Sequence, residues 1–166
     1  MKKFKIAQVG TGNRGRATLS AFSKHPERIE LVAVCDANPE HAQRASSEFD
    51  IPASYQHIED LLQHADFDVA SVTTPTPVRQ AVIQPLLEAG VDVIADKPFA
   101  ETLDEAKAIV TCAEANGRRI AVGQRPPDRG AVSPRLWARD AEPCLFVSLE
   151  QRGQTLHNLR ILLVKV

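Results

Sequence analysis

Apolar residues follow two different spacings along residues 1–123. Short runs that are apolar almost throughout, such as residues 29–35, are typical of strands buried on both faces of a parallel sheet. Between these runs, apolar residues recur at helical spacing, as Ala42, Ala45 and Phe49 do, which indicates amphipathic helices. The pattern predicts strands at residues 4–9, 29–35, 53–55, 68–72, 91–95 and 119–122. It predicts helices at about residues 14–24, 39–49, 58–62, 78–88 and 103–116.

Regular alternation of strands and helices is typical of right-handed βαβ units. We therefore predict an α/β fold in which residues 1–123 form a doubly wound parallel sheet of the Rossmann type. Just after the fourth helix, Gly90 is placed to act as its C-cap. Pro85 lies inside the same helix and is expected to kink it or cut it short.

The pattern changes after residue 123. Residues 124–143 contain four prolines and four arginines, which favours an irregular loop or a short helix. Residues 145–150 and 159–166 are β-prone and flank a turn-like segment at residues 153–158. This extension, residues 124–166, is either a hairpin that covers the molecule's own apolar face or a strand edge that pairs with a second copy. We favour the second interpretation, a homodimer formed through residues 145–166.

Composition narrows the classes of function. The 166 residues are 43% hydrophobic and 25% charged, which is typical of soluble globular proteins. Twenty Lys and Arg against 21 Asp and Glu give a net charge of −1, which argues against a nucleic-acid or anionic-membrane binder. Three scattered cysteines and five scattered histidines predict reduced thiols and no metal site. No apolar run fits a signal peptide or a bilayer span, so we expect a cytoplasmic protein.

A glycine-rich turn directly follows the first predicted strand and opens a helix. It reads Gly10-Thr11-Gly12-Asn13-Arg14-Gly15, a GxGxxG pattern. In this context the first glycine permits a tight turn, the second lets the backbone approach a pyrophosphate, and the third lets the helix pack on the strand. The N–H groups of the helix terminus would then face the phosphates. The alternative is an ordinary glycine-rich turn between a strand and a helix.

Asp36 ends the second strand, 21 residues after Gly15. This spacing is close to that expected for the acid that accepts hydrogen bonds from the adenosine ribose. A carboxylate repels a 2′-phosphate, so NAD is favoured; Arg14 and Arg16 could still meet a phosphate, which keeps NADP possible. Alternatively, Asp36 is the N-cap of the helix that starts at Pro39.

Two further segments follow the fourth and fifth strands and are expected at the same edge of the sheet. Thr73, Thr74 and Pro75 suit a wall against ribose and nicotinamide, or else form a rigid turn that only caps the next helix. Lys97, supported by Asp96, could donate to a substrate hydroxyl or take part in proton transfer. A surface ion pair between Asp96 and Lys97 is the alternative.

Taken in order, the segments GTGNRG, VCDAN, TTPTPVRQAVIQPLLEAG, VIADKPFA and AVGQR resemble the N-terminal half of the Gfo/Idh/MocA oxidoreductase family, over residues 4–124. The resemblance implies nicotinamide-dependent oxidation or reduction of a sugar, a polyol or a similar small alcohol or carbonyl compound. It also implies that the three glycines bind pyrophosphate, that Asp36 binds the adenosine ribose and that Thr73, Thr74 and Pro75 line the nicotinamide side. Lys97 matches the lysine of the family's Glu-Lys-Pro motif, which contacts substrate and the nicotinamide ribose.

The sequence departs from the family at three points. Asp96 replaces the usual glutamate, and Arg79 stands where many members have a histidine. Residues 124–166 are too few for the family's substrate domain, so this chain alone is expected to be truncated, to bind NAD and to turn over weakly or not at all. His157 has no matching aspartate and receives no catalytic role. The alternative is a non-catalytic nucleotide-binding or oligomerisation module.

Overall fold

The structure is a computed structural model, which describes residues 3–123 and the backbone of residues 146–152 and 155–162. Strands and helices alternate along the first of these ranges. The strands are β1 (Phe4–Val9), β2 (Ile29–Cys35), β3 (Ala53–Tyr55), β4 (Val69–Val72), β5 (Asp92–Asp96) and β6 (Ile120–Gly123). The helices are α1 (Asn13–Phe22), α2 (Pro39–Phe49), α3 (Ile58–His64), α4 (Thr76–Glu88) and α5 (Leu103–Ala115).

The six strands form one parallel sheet in the order β3-β2-β1-β4-β5-β6. From β1 the chain adds β2 and β3 towards one edge of the sheet, and then β4, β5 and β6 towards the other edge. Doubly wound sheets open a ligand crevice at this point of reversal, between β1 and β4. The predicted Rossmann fold is confirmed. All the segments singled out in the sequence follow the carboxyl ends of β1, β2, β4 and β5, so they meet at one edge of the sheet.

Buried apolar residues cover both faces of the sheet. On one face, α3, α4 and α5 pack through Leu61, Leu86 and Ile109. On the other face, α1 and α2 contribute Leu19 and Ala45. Because successive side chains of a strand point to opposite faces, strands buried in this way are apolar throughout, as the sequence indicated.

Helix α4 differs from its prediction at its N-terminal end and ends where predicted. It begins at Thr76, two residues earlier than predicted, and it runs on to Glu88. The prediction that Pro85 would cut it short is wrong, because this proline lies in the last turn and removes a single N–H donor. The Pro85 carbonyl still accepts from Ala89 N at 2.9 Å, and Gly90 follows with a φ of 83°.

The extension contains two antiparallel strands, β7 (Phe146–Arg152) and β8 (Thr155–Leu162). The prediction that residues 155–158 belong to a turn is wrong, since they are part of β8. Gln151 pairs with Leu156, and Arg152 pairs with Thr155. These pairs place the start of β8 in the ladder, although residues 155–158 are mostly polar. The loop or short helix predicted for residues 124–143 lies outside the described residues.

Candidate functional site

The glycine turn is held tightly against the two neighbouring strands. Gly10 has a φ of 84°, a conformation that L side chains rarely adopt, and its N–H donates to Cys35 O at 2.8 Å. A Cβ at Gly10 would lie 3.0 Å from backbone atoms of Thr73 and Thr74, and a Cβ at Gly15 would overlap the Gly10 carbonyl oxygen. The first and third glycines are therefore required by the fold itself.

Gly12 is different, because nothing in the fold requires a glycine there. Its φ is −61°, which any residue adopts, and a Cβ would meet no atom within 4 Å. It is the N-cap of α1 and makes no side-chain cap hydrogen bond. The first N–H groups of a helix have no acceptor within the helix, so α1 presents unpaired donors and a positive dipole end to this open space. The arrangement suits an anion that approaches the backbone closely.

The Asp36 carboxylate lies beside this turn. Its Oδ2 accepts from Thr11 N at 2.7 Å and from Thr11 Oγ1 at 3.0 Å, while its Oδ1 accepts from Asn38 N at 2.9 Å. The alternative that Asp36 caps α2 is wrong, because the cap is Asn38, whose side chain accepts from Glu40 N at 3.0 Å. A carboxylate has about four acceptor positions. Oδ1 of Asp36 therefore keeps room for one more donor.

Below the turn, a buried thiol ends β2. Burial raises the pKa of Cys35 to about 12, and the negative charges of Asp36, Glu59 and Asp60 act in the same direction. A thiol with this pKa is protonated at neutral pH and is not a nucleophile.

Within the described part of the chain, no group of three or more His, Cys, Asp or Glu side chains could hold a metal ion. None of the helices described there is long and apolar enough to cross a membrane.

Thr73 and Thr74 have different surroundings in the loop after β4. Thr73 Oγ1 donates to Gly10 O at 2.8 Å and accepts from Gln8 Nε2 at 2.9 Å, so this hydroxyl is committed to the glycine turn. Thr74 Oγ1 is buried and has no hydrogen-bond partner among the described residues. Neither hydroxyl caps α4: the N-cap residue is Pro75 of the same turn, and no side chain makes a cap hydrogen bond. Thr74 Oγ1 is therefore the unsatisfied hydroxyl of this loop.

Sequence reasoning missed Gln8, which anchors this arrangement. It is fully buried in β1, and its Nε2 also donates to Gly10 O at 2.9 Å. A signal was present, since an amide in the middle of a strand that is buried on both faces needs a local hydrogen-bond partner.

Asp96 and Arg14 form an ion pair across the crevice. Arg14 Nε and Nη2 donate to the two carboxylate oxygens at 2.8 and 2.9 Å. Burial alone would raise the pKa of Asp96, but Arg14, the Lys97 backbone N–H and the charge of Arg79 together hold it below its ordinary value. The alternative pair between Asp96 and Lys97 is wrong. Lys97 is exposed, and among the described residues its amino group forms no hydrogen bond or ion pair, while Asp96 pairs with Arg14.

Arg79 is the second residue that sequence reasoning left without a role. Its side chain starts on α4 and is buried, at 3% exposure, beneath the loops after β4 and β5. Nη1 donates to Asp96 O at 2.6 Å and to Pro98 O, and Nη2 donates to Thr74 O. The signal was its spacing, because Ile83, Leu86 and Leu87 lie four, seven and eight residues further on and are all buried.

Comparisons with known proteins give a consistent result. A model of the Gfo/Idh/MocA oxidoreductases, described as an oxidoreductase family with an NAD-binding Rossmann fold, matches residues 4–124. D-apiose dehydrogenase of Paraburkholderia graminis is 31% identical over 152 residues, which are 84% of this chain and 40% of that protein. Inositol 2-dehydrogenase of Serratia proteamaculans is 33% identical over 128 residues, which are 75% of this chain and 38% of that protein.

A solved structure agrees with these relatives. The WlbA dehydrogenase from Bordetella pertussis, in complex with NADH and UDP-GlcNAcA, superposes with a TM-score of 0.74 and 26% identity. The match covers 78% of this chain and 39% of that one. The chain thus spans about two fifths of the length of the proteins it matches.

Proposed function

The chain belongs to the Gfo/Idh/MocA oxidoreductase family through its NAD-binding Rossmann domain, and from this premise we propose a place for each part of the cofactor. The pyrophosphate binds over the turn from Gly10 to Gly15, against the first N–H groups of α1. Thr11, Asn13 and Arg14 complete this turn and lie beside the phosphates.

The observation that carries this proposal is the open space in front of Gly12. Gly10 and Gly15 are explained by contacts within the fold, whereas a Cβ at Gly12 would meet nothing within 4 Å. A glycine that the fold does not need is accounted for by a ligand that approaches its backbone. The helix N-terminus behind it supplies the donors that a pyrophosphate needs.

The adenosine ribose binds at Asp36. Two donors of Thr11 and the Asn38 N–H fix this carboxylate and leave acceptor capacity on Oδ1 for a ribose hydroxyl. A fixed negative charge repels a 2′-phosphate, so we propose that NAD is preferred over NADP.

The nicotinamide side lies between the loops after β4 and β5. We assign its wall to Thr73, Thr74 and Pro75, with the unpartnered Thr74 hydroxyl facing the ligand. When bound, NAD would accept or donate a hydride. The exposed Lys97 amino group would contact the nicotinamide ribose and hydrogen-bond the substrate oxygen, where it can hold or pass a proton. Asp96 supports Lys97 by accepting a hydrogen bond from the Lys97 backbone N–H. The substrate class proposed is a sugar, a polyol or a similar small alcohol or carbonyl compound.

Hydride transfer also needs the far side of the substrate to be held, and misplacement by about 1 Å costs about 100-fold in rate. We therefore propose that residues 1–123 are the cofactor domain, that residues 124–166 are the start or remnant of a second one, and that the 166-residue chain alone turns over weakly or not at all. Ordinary turnover on a panel of sugars and polyols would contradict this.

A homodimer through residues 145–166 is also proposed, because a two-stranded sheet such as β7–β8 is only marginally stable by itself. A monomer in sedimentation experiments at high micromolar concentration would rule the dimer out. A dimer that binds NADH but shows no turnover would favour the non-catalytic module. The cytoplasmic location and the lack of a nucleic-acid partner stay predictions from sequence.

The test of the NAD site is Gly12→Ser. Serine is a better N-cap than most residues, so the substitution keeps or raises the stability of α1. Its side chain fills the space assigned to the pyrophosphate, so the affinity for NADH falls by at least about tenfold, or about 1.4 kcal/mol. Thermal unfolding and isothermal titration with NADH and NADPH measure the two effects separately.

Ala17→Ser is the matched control, since it introduces a serine hydroxyl at an exposed position of the same helix. It should leave NADH affinity unchanged. Equal affinities for the parent chain and Gly12→Ser, or no NADH binding by the parent chain, would refute the proposed site.

A further inference from the structure

We propose that Arg79 positions the nicotinamide half of the site by holding the loop after β4 and the loop after β5 at a fixed separation. The inference rests on the proposed NAD site, because those two loops are the ones assigned to nicotinamide. Arg79 acts here as a positioning residue, through the backbone, and contacts neither the cofactor nor the substrate.

The contacts of Arg79 join the two loops directly. The ladder between β4 and β5 ends at the pair Val72 and Ala95. Beyond it, the guanidinium donates to the Thr74 carbonyl on one side and to the Asp96 and Pro98 carbonyls on the other. Asp96 and Pro98 lie on either side of Lys97, and Thr74 directly precedes Pro75. Arg79 therefore fixes the backbone that carries the proposed nicotinamide wall and the proposed substrate lysine.

An arginine suits this task better than any other side chain. Its planar guanidinium presents five N–H donors in fixed directions, so a single group can satisfy acceptors on two segments at once. A lysine at the same position keeps the charge but concentrates its donors on one atom. Lysine should therefore replace part of the contacts of Arg79, whereas an apolar side chain of similar length should replace none of them.

The burial of this charge is costly and indicates a specific role. Burial lowers the pKa of Arg79, and the negative charge of Asp96 opposes that shift. All three of its acceptors are backbone carbonyls rather than carboxylates, and Nε is buried without a partner among the described residues. Packing alone would be served by an apolar residue on this face of α4, where Ile83 and Leu86 are buried.

The effect of Arg79 should be confined to one half of the site. Thr73 is anchored independently, through Gln8 and the Gly10 carbonyl, and Asp36 is anchored through Thr11 and Asn38. Loss of the Arg79 contacts therefore loosens the two loops while the glycine turn and Asp36 keep their partners. A ligand that lacks both the nicotinamide and its ribose should bind as before.

The experiment compares NADH with ADP, which contains the adenosine and the pyrophosphate but neither the nicotinamide nor its ribose. Arg79→Lys and Arg79→Met are titrated with both ligands by calorimetry, and the emission spectrum of NADH is recorded with each variant. Arg118→Met is the matched control, because Arg118 also donates to backbone carbonyls, those of Gly90 and Asn116, away from the crevice.

We expect NADH affinity to fall at least about tenfold in Arg79→Lys and further in Arg79→Met, because a loosened site must be ordered on binding. The affinity for ADP should change by less than about threefold, and the emission shift of bound NADH should shrink. The control should behave as the parent chain. If Arg79→Met does not fold, the ratio of the two affinities in Arg79→Lys decides.

Equal losses for the two ligands, or no loss for either, would overturn the role of Arg79 and leave the proposed NAD site intact. Failure of the parent chain to bind NADH would overturn the NAD site and this inference with it. The two failures are therefore distinguishable.

Discussion

The two halves of the candidate site are held in place in different ways. The half built from the glycine turn and Asp36 is fixed mainly by backbone atoms and short side chains of two adjacent strand ends. In the half built from the loops after β4 and β5, Gln8 and the Gly10 carbonyl anchor Thr73, and two long arginine side chains hold the rest. Arg79 reaches it from the helix below, and Arg14 reaches it from across the crevice. The first half is rigid by steric exclusion, and the second depends on charge and hydrogen bonding.

This difference affects how each half responds to mutation. Steric exclusion between backbone atoms tolerates no added atom, because neither side can move without disturbing the sheet. An ion pair or a hydrogen bond to a carbonyl can be lost while the loop keeps its neighbours, so the damage is smaller and more local. Substitutions at the sterically fixed glycines of the first half, Gly10 and Gly15, should therefore change stability most, and those in the second half should mainly change binding.

The largest effect is expected from Gly15→Ala. Its Cβ would overlap the Gly10 carbonyl oxygen and lie 3.0 Å from Thr73 Oγ1. Relief requires α1 to move away from β1, and we expect a loss of at least about 3 kcal/mol in the free energy of unfolding. The loss would exceed the gain of about 1 kcal/mol that alanine gives over glycine inside a helix. Urea unfolding measures it.

Gly12→Ser serves as the comparison, because the same turn offers open space there. If Gly15→Ala is as stable as the parent chain, the turn is not sterically fixed. The contrast between the two halves would then be wrong.

The same contrast explains what the sequence could predict. The bounds of β2, α2 and β3 agree with their predictions residue for residue, because apolar runs and helical spacing depend on local sequence. The fold class and the family resemblance were also confirmed. Gly10 and Gly15 were recognised because the motif has fixed spacing and a clear context of strand, turn and helix.

The contacts of the second half are long-range and escaped prediction. Arg14 and Asp96 are 82 residues apart, and Gln8 and Thr73 are 65 apart. No spacing rule connects such pairs until the order of the strands is known. The assignment of the α2 cap failed for a smaller reason: Asp36 and Asn38 are both good caps, and only the bond to Glu40 N distinguishes them.

The smaller effect is expected from Asp96→Asn, which removes the charge that Arg14 binds. Arg14 is 61% exposed and Asp96 is 13% exposed, so solvent screens the pair in part and we expect a loss of about 1 kcal/mol or less. Glu48→Gln is the matched control, because Arg16, which lies on α1 like Arg14, makes an equivalent two-bond pair with Glu48. Glu48 is 37% exposed, so its loss should be smaller.

The pH dependence of this difference tests the assignment. Because the folded-state pKa of Asp96 lies below its ordinary value, the stabilisation is complete above the unfolded pKa of about 3.9 and is lost as the pH falls through the folded pKa. The stability gap between the parent chain and Asp96→Asn should therefore be constant near neutral pH and shrink below about pH 4. Urea unfolding at several pH values measures the gap. A gap that grows on acidification, or none at neutral pH, would mean that the second half does not rely on the ion pair and is held by Arg79 alone.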